Sequence, residues 1–134
     1  MDRLTIVKVG GKVVENPEML ETLLNNFTSI TGYKVLIHGG GQTATKMAAR
    51  LGIETRMVEG RRITDMDTLE IATMVYAGLV NKRIVAGLQA RNCNALGLTG
   101  ADLDLIRASK RPVGDIDYGF VGDVENVNIR ELRL

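Results

Sequence analysis

The chain has 134 residues, 45% of them hydrophobic, so one packed domain is expected and an intrinsically disordered chain is excluded. Seventeen basic and sixteen acidic residues leave a formal charge of +1, which gives no general attraction to nucleic acid or to a membrane. Cys93 is the single cysteine, which rules out an internal disulfide and reads as a buried, reduced thiol of a cytoplasmic protein; the start has no apolar signal core, and no apolar run approaches membrane-spanning length.

In chain order, "LTIVKV" (4–9) reads as a short buried strand. In "ENPEMLETLLNNFTSITG", Met19, Leu20, Leu23, Leu24, Phe27 and Ile30 fall at helical spacing, with Gly32 placed to close the helix. "YKVLIH" (33–38) is a second strand, and "QTATKMAARLG" (42–52) a short helix ending at Gly52. This β-α-β-α order predicts a mainly parallel, open α/β sheet with helices on both faces. "ETRMVEGRRIT" (54–64) predicts a hairpin turning at Glu59-Gly60, followed by Thr64 as an N-cap with Asp65 and Asp67 in the first turn. The stretch 65–91 carries no proline and predicts one long helix of about 40 Å, or a broken pair. Its first half is apolar on most sides (Met66, Leu69, Ile71, Met74, Val75, Tyr76, Leu79, Val80), so either the domain or a second subunit must cover it. "NALGLTG" (94–100) and "LDLIRAS" (103–109) read as strands, 114–128 as a hairpin, and "IRELRL" as the start of a helix.

The chemistry lies in two glycine clusters, "KVGGK" (8–12) and "HGGGQ" (38–42), each between a strand and a helix. Glycine lets the backbone approach a ligand closely, and free N–H groups at a helix start attract anions. In parallel sheets ligands gather outside the carboxyl ends of the strands, so the two loops suggest one shared anionic site. Lys8 would place a compact positive charge there, suited to a moving phosphoryl group. Taken singly, either cluster reads better as a plain tight turn. The patterns GxxxxGK[ST] and GxGxxG are both absent. His38 reads more readily as a packed strand-end residue than as a base, and Arg61-Arg62 could be a solvated pair on the hairpin. Asp102, Asp104, Asp115 and Asp117 lack the spacing of a calcium loop, and no metal site is assigned to them.

Together, "IVKVGGK", "LIHGGGQ", "EGRRITD", "NALGLTGADLDLIRA" and "DYGFVGDV" resemble the acetylglutamate kinases of the amino acid kinase superfamily, in order and nearly in spacing. The resemblance implies ATP-dependent phosphorylation of the γ-carboxylate of an N-acylglutamate, in arginine or ornithine biosynthesis, by a cytoplasmic enzyme. Lys8 matches the lysine that stabilises the transferring phosphoryl, and Gly11 the loop that helps hold its oxygens. Gly40 and Gly41 match the backbone N–H groups at the substrate, and Arg62 the arginine that clamps a substrate carboxylate. The 115–125 hairpin matches a flap, and the long helix 65–91 a homodimer interface. On this reading residues 1–134 are the amino-terminal, acyl-amino-acid-binding domain. The nucleotide-binding domain is absent from this chain, and it is that part which mainly holds ATP and Mg2+. Arg61 departs from the family's usual leucine or methionine. It is either a surface residue or a contact to a larger acyl group such as succinyl. The alternatives are a non-catalytic, dimerising fragment, or a sister kinase for another acylated amino acid such as an aminoadipate.

Overall fold

The computed structural model describes residues 3–132. Strand β1 (Leu4–Val9) and strand β2 (Tyr33–His38) pair in parallel, in register from Leu4 opposite Tyr33 to Val9 opposite His38. Alternation sends Val7, Val9 and Leu36 to the core, where they meet the helices, and leaves Leu4, Ile6, Tyr33, Val35 and Ile37 exposed on the other face. A short helix that the sequence reading missed, α1 (Gly11–Glu15), follows β1 directly. Asn16 separates it from α2 (Pro17–Ser29) and caps the latter, its side-chain oxygen accepting from the Met19 N–H at 3.0 Å, with Pro17 at the first helical position. Leu20, Leu24 and Phe27 are the buried stripe of α2. The helix stops at Ser29 rather than at Gly32. The Lys34 ammonium, donating to the carbonyls of Phe27, Thr28 and Ile30 at 2.8–3.0 Å, satisfies its last turn, and Gly32 (φ +80°) makes the bend into β2.

Helix α3 (Gly41–Arg50) buries Ala44 and Ala48, small residues that let it lie close to its neighbours. The predicted hairpin forms from β3 (Met57–Val58) and β4 (Arg61–Arg62), turning through Glu59 and Gly60 at φ +50° and +75°. The cap of the next helix falls on Asp65, not Thr64. The Asp65 carboxylate accepts from the Thr68 N–H at 2.9 Å, while the Thr64 backbone is drawn into a bridge with Gly119.

Residues Met66–Gln89 form one unbroken helix of 24 residues, as α4 (Met66–Thr73), a π segment (Met74–Val80) and α5 (Asn81–Gln89). Its buried apolar residues are Ile71, Val75, Val80, Ile84 and Leu88. The single five-residue step, Val75 to Val80, falls inside the π segment, whose wider turn keeps the stripe facing the core. Length and composition would let this helix cross a membrane, against the sequence expectation, but here it is the central core helix. It is not buried all round, since Met66, Met74, Tyr76 and Leu79 remain exposed.

The last third departs furthest from expectation. Residues 94–100 form no strand. They lie along α5, where the Lys82 ammonium and the Asn81 amide donate to the carbonyls of Gly97 (3.0 Å) and Leu98 (3.3 Å). These side chains take the place of a strand partner. Leu103 and Asp104, both at positive φ, prevent a strand from starting at 103; β5 begins later (Ile106–Lys110), after a 3-10 turn (Asp102–Asp104). β5 pairs antiparallel with β6 (Gly122–Val127), so the hairpin is built from 106–127 and not from within 114–128, and 111–121 is its connecting loop. Both strands are exposed throughout. Ile129–Leu132 form a single 3-10 turn; Arg133 and Leu134 lie outside the described residues.

Candidate functional site

The parallel register brings the two glycine loops side by side. Lys8, opposite Ile37, is one residue short of the end of β1 and is exposed on the sheet face that carries Ile6 and Ile37. Gly10, in extended backbone, caps α1 and Gly40 caps α3, each without a side chain to complete the cap. A Cβ placed on Gly11 would lie 4.0 Å from the Gly41 nitrogen, so the loops are in contact. Gly40 has no room for a side chain, because a Cβ there would meet Cδ1 of Tyr76 at 2.8 Å and Cε1 at 3.0 Å. Tyr76, in the π segment, thus roofs the glycine triad, with its hydroxyl turned toward Gly41.

The missing cap of α3 comes from another element. Glu15, at the end of α1, accepts the Thr43 N–H at 2.7 Å, and its side chain is only 11% exposed. One of the orphan N–H groups of the α3 terminus is thereby satisfied from 28 residues away, while the loop itself stays all glycine. Lys46 pairs with the same carboxylate at 3.5 Å.

Arg62 reaches this terminus from the other side. Its Nη2 donates to the Gly41 carbonyl and to the Thr45 hydroxyl, both at 3.0 Å, and the Thr45 hydroxyl in turn donates to the Gly41 carbonyl at 2.9 Å. Arg61, its neighbour on β4, is exposed on the opposite side of the ribbon, as strand alternation requires. Its charge acts on Asp123 of β6, whose carboxyl is held below its usual range chiefly by hydrogen bonding from Arg111 and then by the charges of Arg111 and Arg61.

The 111–121 loop is tied to the same region. The Thr64 N–H donates to the Tyr118 carbonyl at 2.9 Å, and the Phe120 N–H donates to the Thr64 carbonyl at 2.7 Å. Gly119 sits between them at φ +75°, where a Cβ would fall 2.1 Å from the Thr64 oxygen; no other residue fits. Asp102 accepts from the backbone N–H and the hydroxyl of Thr99 at 2.6 and 2.8 Å, which hold its carboxyl below the usual range. The aspartates singled out in the sequence are thus turn residues, and among the described residues no group of three metal-ligating side chains comes together.

The structure therefore assembles Gly11, Gly40, Gly41 and Arg62 in one place, with Lys8 at the adjacent strand end and Arg61 turned away. Glu15, Thr45 and Tyr76 also belong to this place and carried no sequence signal, because each acts through a tertiary contact. His38 joins through its ring, which lies 3.2 Å from both the Gly39 carbonyl and the Asn81 amide nitrogen.

Two contacting glycine loops thus lie at the carboxyl ends of parallel strands of an α/β domain, with a guanidinium at the second. The chain belongs to the amino acid kinase family, whose description matches residues 3–134. It is 66% identical over 128 residues to the acetylglutamate kinase of Parabacteroides distasonis, covering 96% of this chain and 50% of that protein. It is 42% identical over 134 residues to the acetylglutamate kinase of Methanopyrus kandleri, covering 97% and 52%. The chain thus spans about half the length of the curated relatives it matches. Among solved structures, smu.665 from Streptococcus mutans superposes with a TM-score of 0.78 at 22% identity, over 96% of this chain and 52% of that one. The N-acetylglutamate synthase of Neisseria gonorrhoeae, complexed with coenzyme A and N-acetyl-glutamate, gives 0.74 at 23%, over 97% and 30%. At such identities these last two speak to the fold alone.

Proposed function

We propose that the protein carrying this chain phosphorylates the γ-carboxylate of N-acetyl-L-glutamate with ATP, a step of arginine biosynthesis in the cytoplasm, and that this chain supplies the acyl-amino-acid side of the site. The observation that carries the reading is the Arg62 guanidinium held at the Gly41 carbonyl, beside the Gly11 loop. The identity to acetylglutamate kinases supports the choice of substrate.

In this reading Arg62 binds a carboxylate of the substrate, a two-pronged contact suited to guanidinium. The N–H groups of Gly40 and Gly41 receive the substrate's oxygens, and Gly11 lines the path of the phosphoryl group. Lys8 neutralises the charge that develops during transfer. Phosphoryl transfer asks chiefly for positioning and charge neutralisation, so no protein nucleophile is invoked. ATP and its Mg2+ are assigned to parts of the protein beyond this chain. Arg61, exposed on the other side of the ribbon from Arg62, is left as a surface residue, which favours acetyl over a carboxylate-bearing acyl group. A homodimer through the 65–91 helix would cover Met66, Met74 and Leu79.

The test is steady-state kinetics on the gene product that carries this chain. Lys8→Ala is expected to lower kcat by on the order of 10²-fold with little change in KM, because its contact strengthens only as charge moves. Arg62→Ala is expected to raise KM for N-acetyl-L-glutamate and leave that for ATP nearly unchanged. The 134-residue chain alone is expected to be inactive. Identical patterns in the two variants, or ATP turnover by the chain alone, overturn the assignment.

A further inference from the structure

Nη2 of Arg62, the Gly41 carbonyl oxygen and the Thr45 hydroxyl oxygen form a nearly equilateral triangle with sides of 3.0, 3.0 and 2.9 Å. The two acceptors therefore subtend about 60° at Nη2, half the roughly 120° between the two N–H bonds of a planar guanidinium nitrogen. The acceptors are close enough for a single N–H lying between them to serve both in a three-centre bond. In that arrangement the other N–H of Nη2 is left for a ligand, and with it one complete two-donor edge of the fork. The Thr45 hydroxyl makes this possible. By donating to the Gly41 carbonyl it turns a lone pair toward Arg62, so both acceptors converge on a single hydrogen. With the carbonyl alone, the fork could roll about that bond and present either edge, or neither, to a ligand.

We propose that Thr45 is a positioning residue: its hydroxyl fixes the roll of the Arg62 guanidinium so that one bidentate edge faces the incoming carboxylate. The proposal rests on Arg62 being the carboxylate clamp. Thr45 is itself exposed on α3, and its hydroxyl bonds back to a carbonyl four residues earlier, an arrangement that gives a helix no stability. A merely structural role is therefore separable from the proposed one.

The experiment uses N-acetyl-L-glutamate and the gene product that carries this chain. Thr45→Ala is expected to raise KM for N-acetyl-L-glutamate by about 3- to 10-fold, the scale of one lost hydrogen bond. KM for ATP is expected to be unchanged and Tm equal or slightly higher. Thr45→Ser, which keeps the hydroxyl, is expected to restore KM. In an Arg62→Ala background, Thr45→Ala is expected to have no further effect. An unchanged KM in Thr45→Ala, or an effect that persists without Arg62, overturns the proposal while leaving the clamp intact. If Arg62→Ala itself leaves KM unchanged, the clamp fails and this proposal falls with it.

Discussion

Glu15 gives α3 the cap that its own sequence withholds. The cap position must be glycine, because Tyr76 leaves no room there, and glycine has no side chain to satisfy the first N–H groups. A carboxylate delivered from α1 resolves the conflict and fastens one glycine loop to the other. Glu15→Ala is expected to lower the unfolding free energy by about 0.5–2 kcal/mol, as loss of an N-cap does. Glu15→Gln keeps an acceptor oxygen and is expected to lose less. Urea denaturation measures both, and equal stability in all three proteins would show that the contact adds nothing. The Lys46 partner is not part of this estimate, since its side chain is 70% exposed and such a pair contributes little.

At the scale of elements, Asp65 sets the start of the long helix. Hydrogen bonding from Thr68, through side chain and backbone, holds its carboxyl below the ordinary value of 3.8. The folded state thus binds the proton less readily than the unfolded chain. The stabilisation is fully present above the unfolded value and is lost as pH falls through the folded one. Asp65→Asn retains a capping oxygen but no charge. Wild type is therefore expected to exceed Asp65→Asn in Tm at neutral pH, with the gap closing below about pH 3.8; a gap independent of pH would remove the charge from the account. The same region shows what the sequence could and could not reveal. β1, β2, α3 and the Glu59-Gly60 hairpin were legible because periodicity and turn residues act locally. Thr64 looked like the cap, but its backbone is drawn into the bridge to Gly119, 55 residues later, and the cap falls on Asp65. Residues 94–100 looked like a strand because apolar Leu96 and Leu98 alternate with small residues, yet side chains from α5 took the hydrogen bonds that a strand would have needed. In the site, the glycines and Arg62 could be read from motifs. Glu15, Thr45 and Tyr76 could not, because their roles exist only once α1, α3 and the π segment have met.

At the scale of the whole molecule, the central strand pair has one covered face and one bare one. Leu4, Ile6, Tyr33, Val35 and Ile37 form a contiguous apolar surface, Ile6 and Tyr33 each 60% exposed. Surfaces of this kind mark places where another part of a protein, or another molecule, packs. The 134-residue chain on its own is expected to bind the dye ANS and to self-associate as its concentration rises. Ile6→Thr with Val35→Thr, which keeps β-branched side chains, is expected to reduce both without lowering Tm appreciably. Unchanged dye binding would place the exposed apolar surface elsewhere. The hairpin of β5 and β6 contributes no buried residue to the core.

The π segment makes the long helix sensitive to insertion more than to exchange of side chains. Its buried residues keep step only because one interval, Val75 to Val80, is a residue longer than its neighbours. Inserting one further residue between Tyr76 and Leu79 would bring Arg83 into the row now held by Ile84, and Gly87 into that of Leu88. A reading frame can vary many letters across this stretch, but a residue added between Ile71 and Leu88 upsets the buried row, because one rod serves both the core and the site.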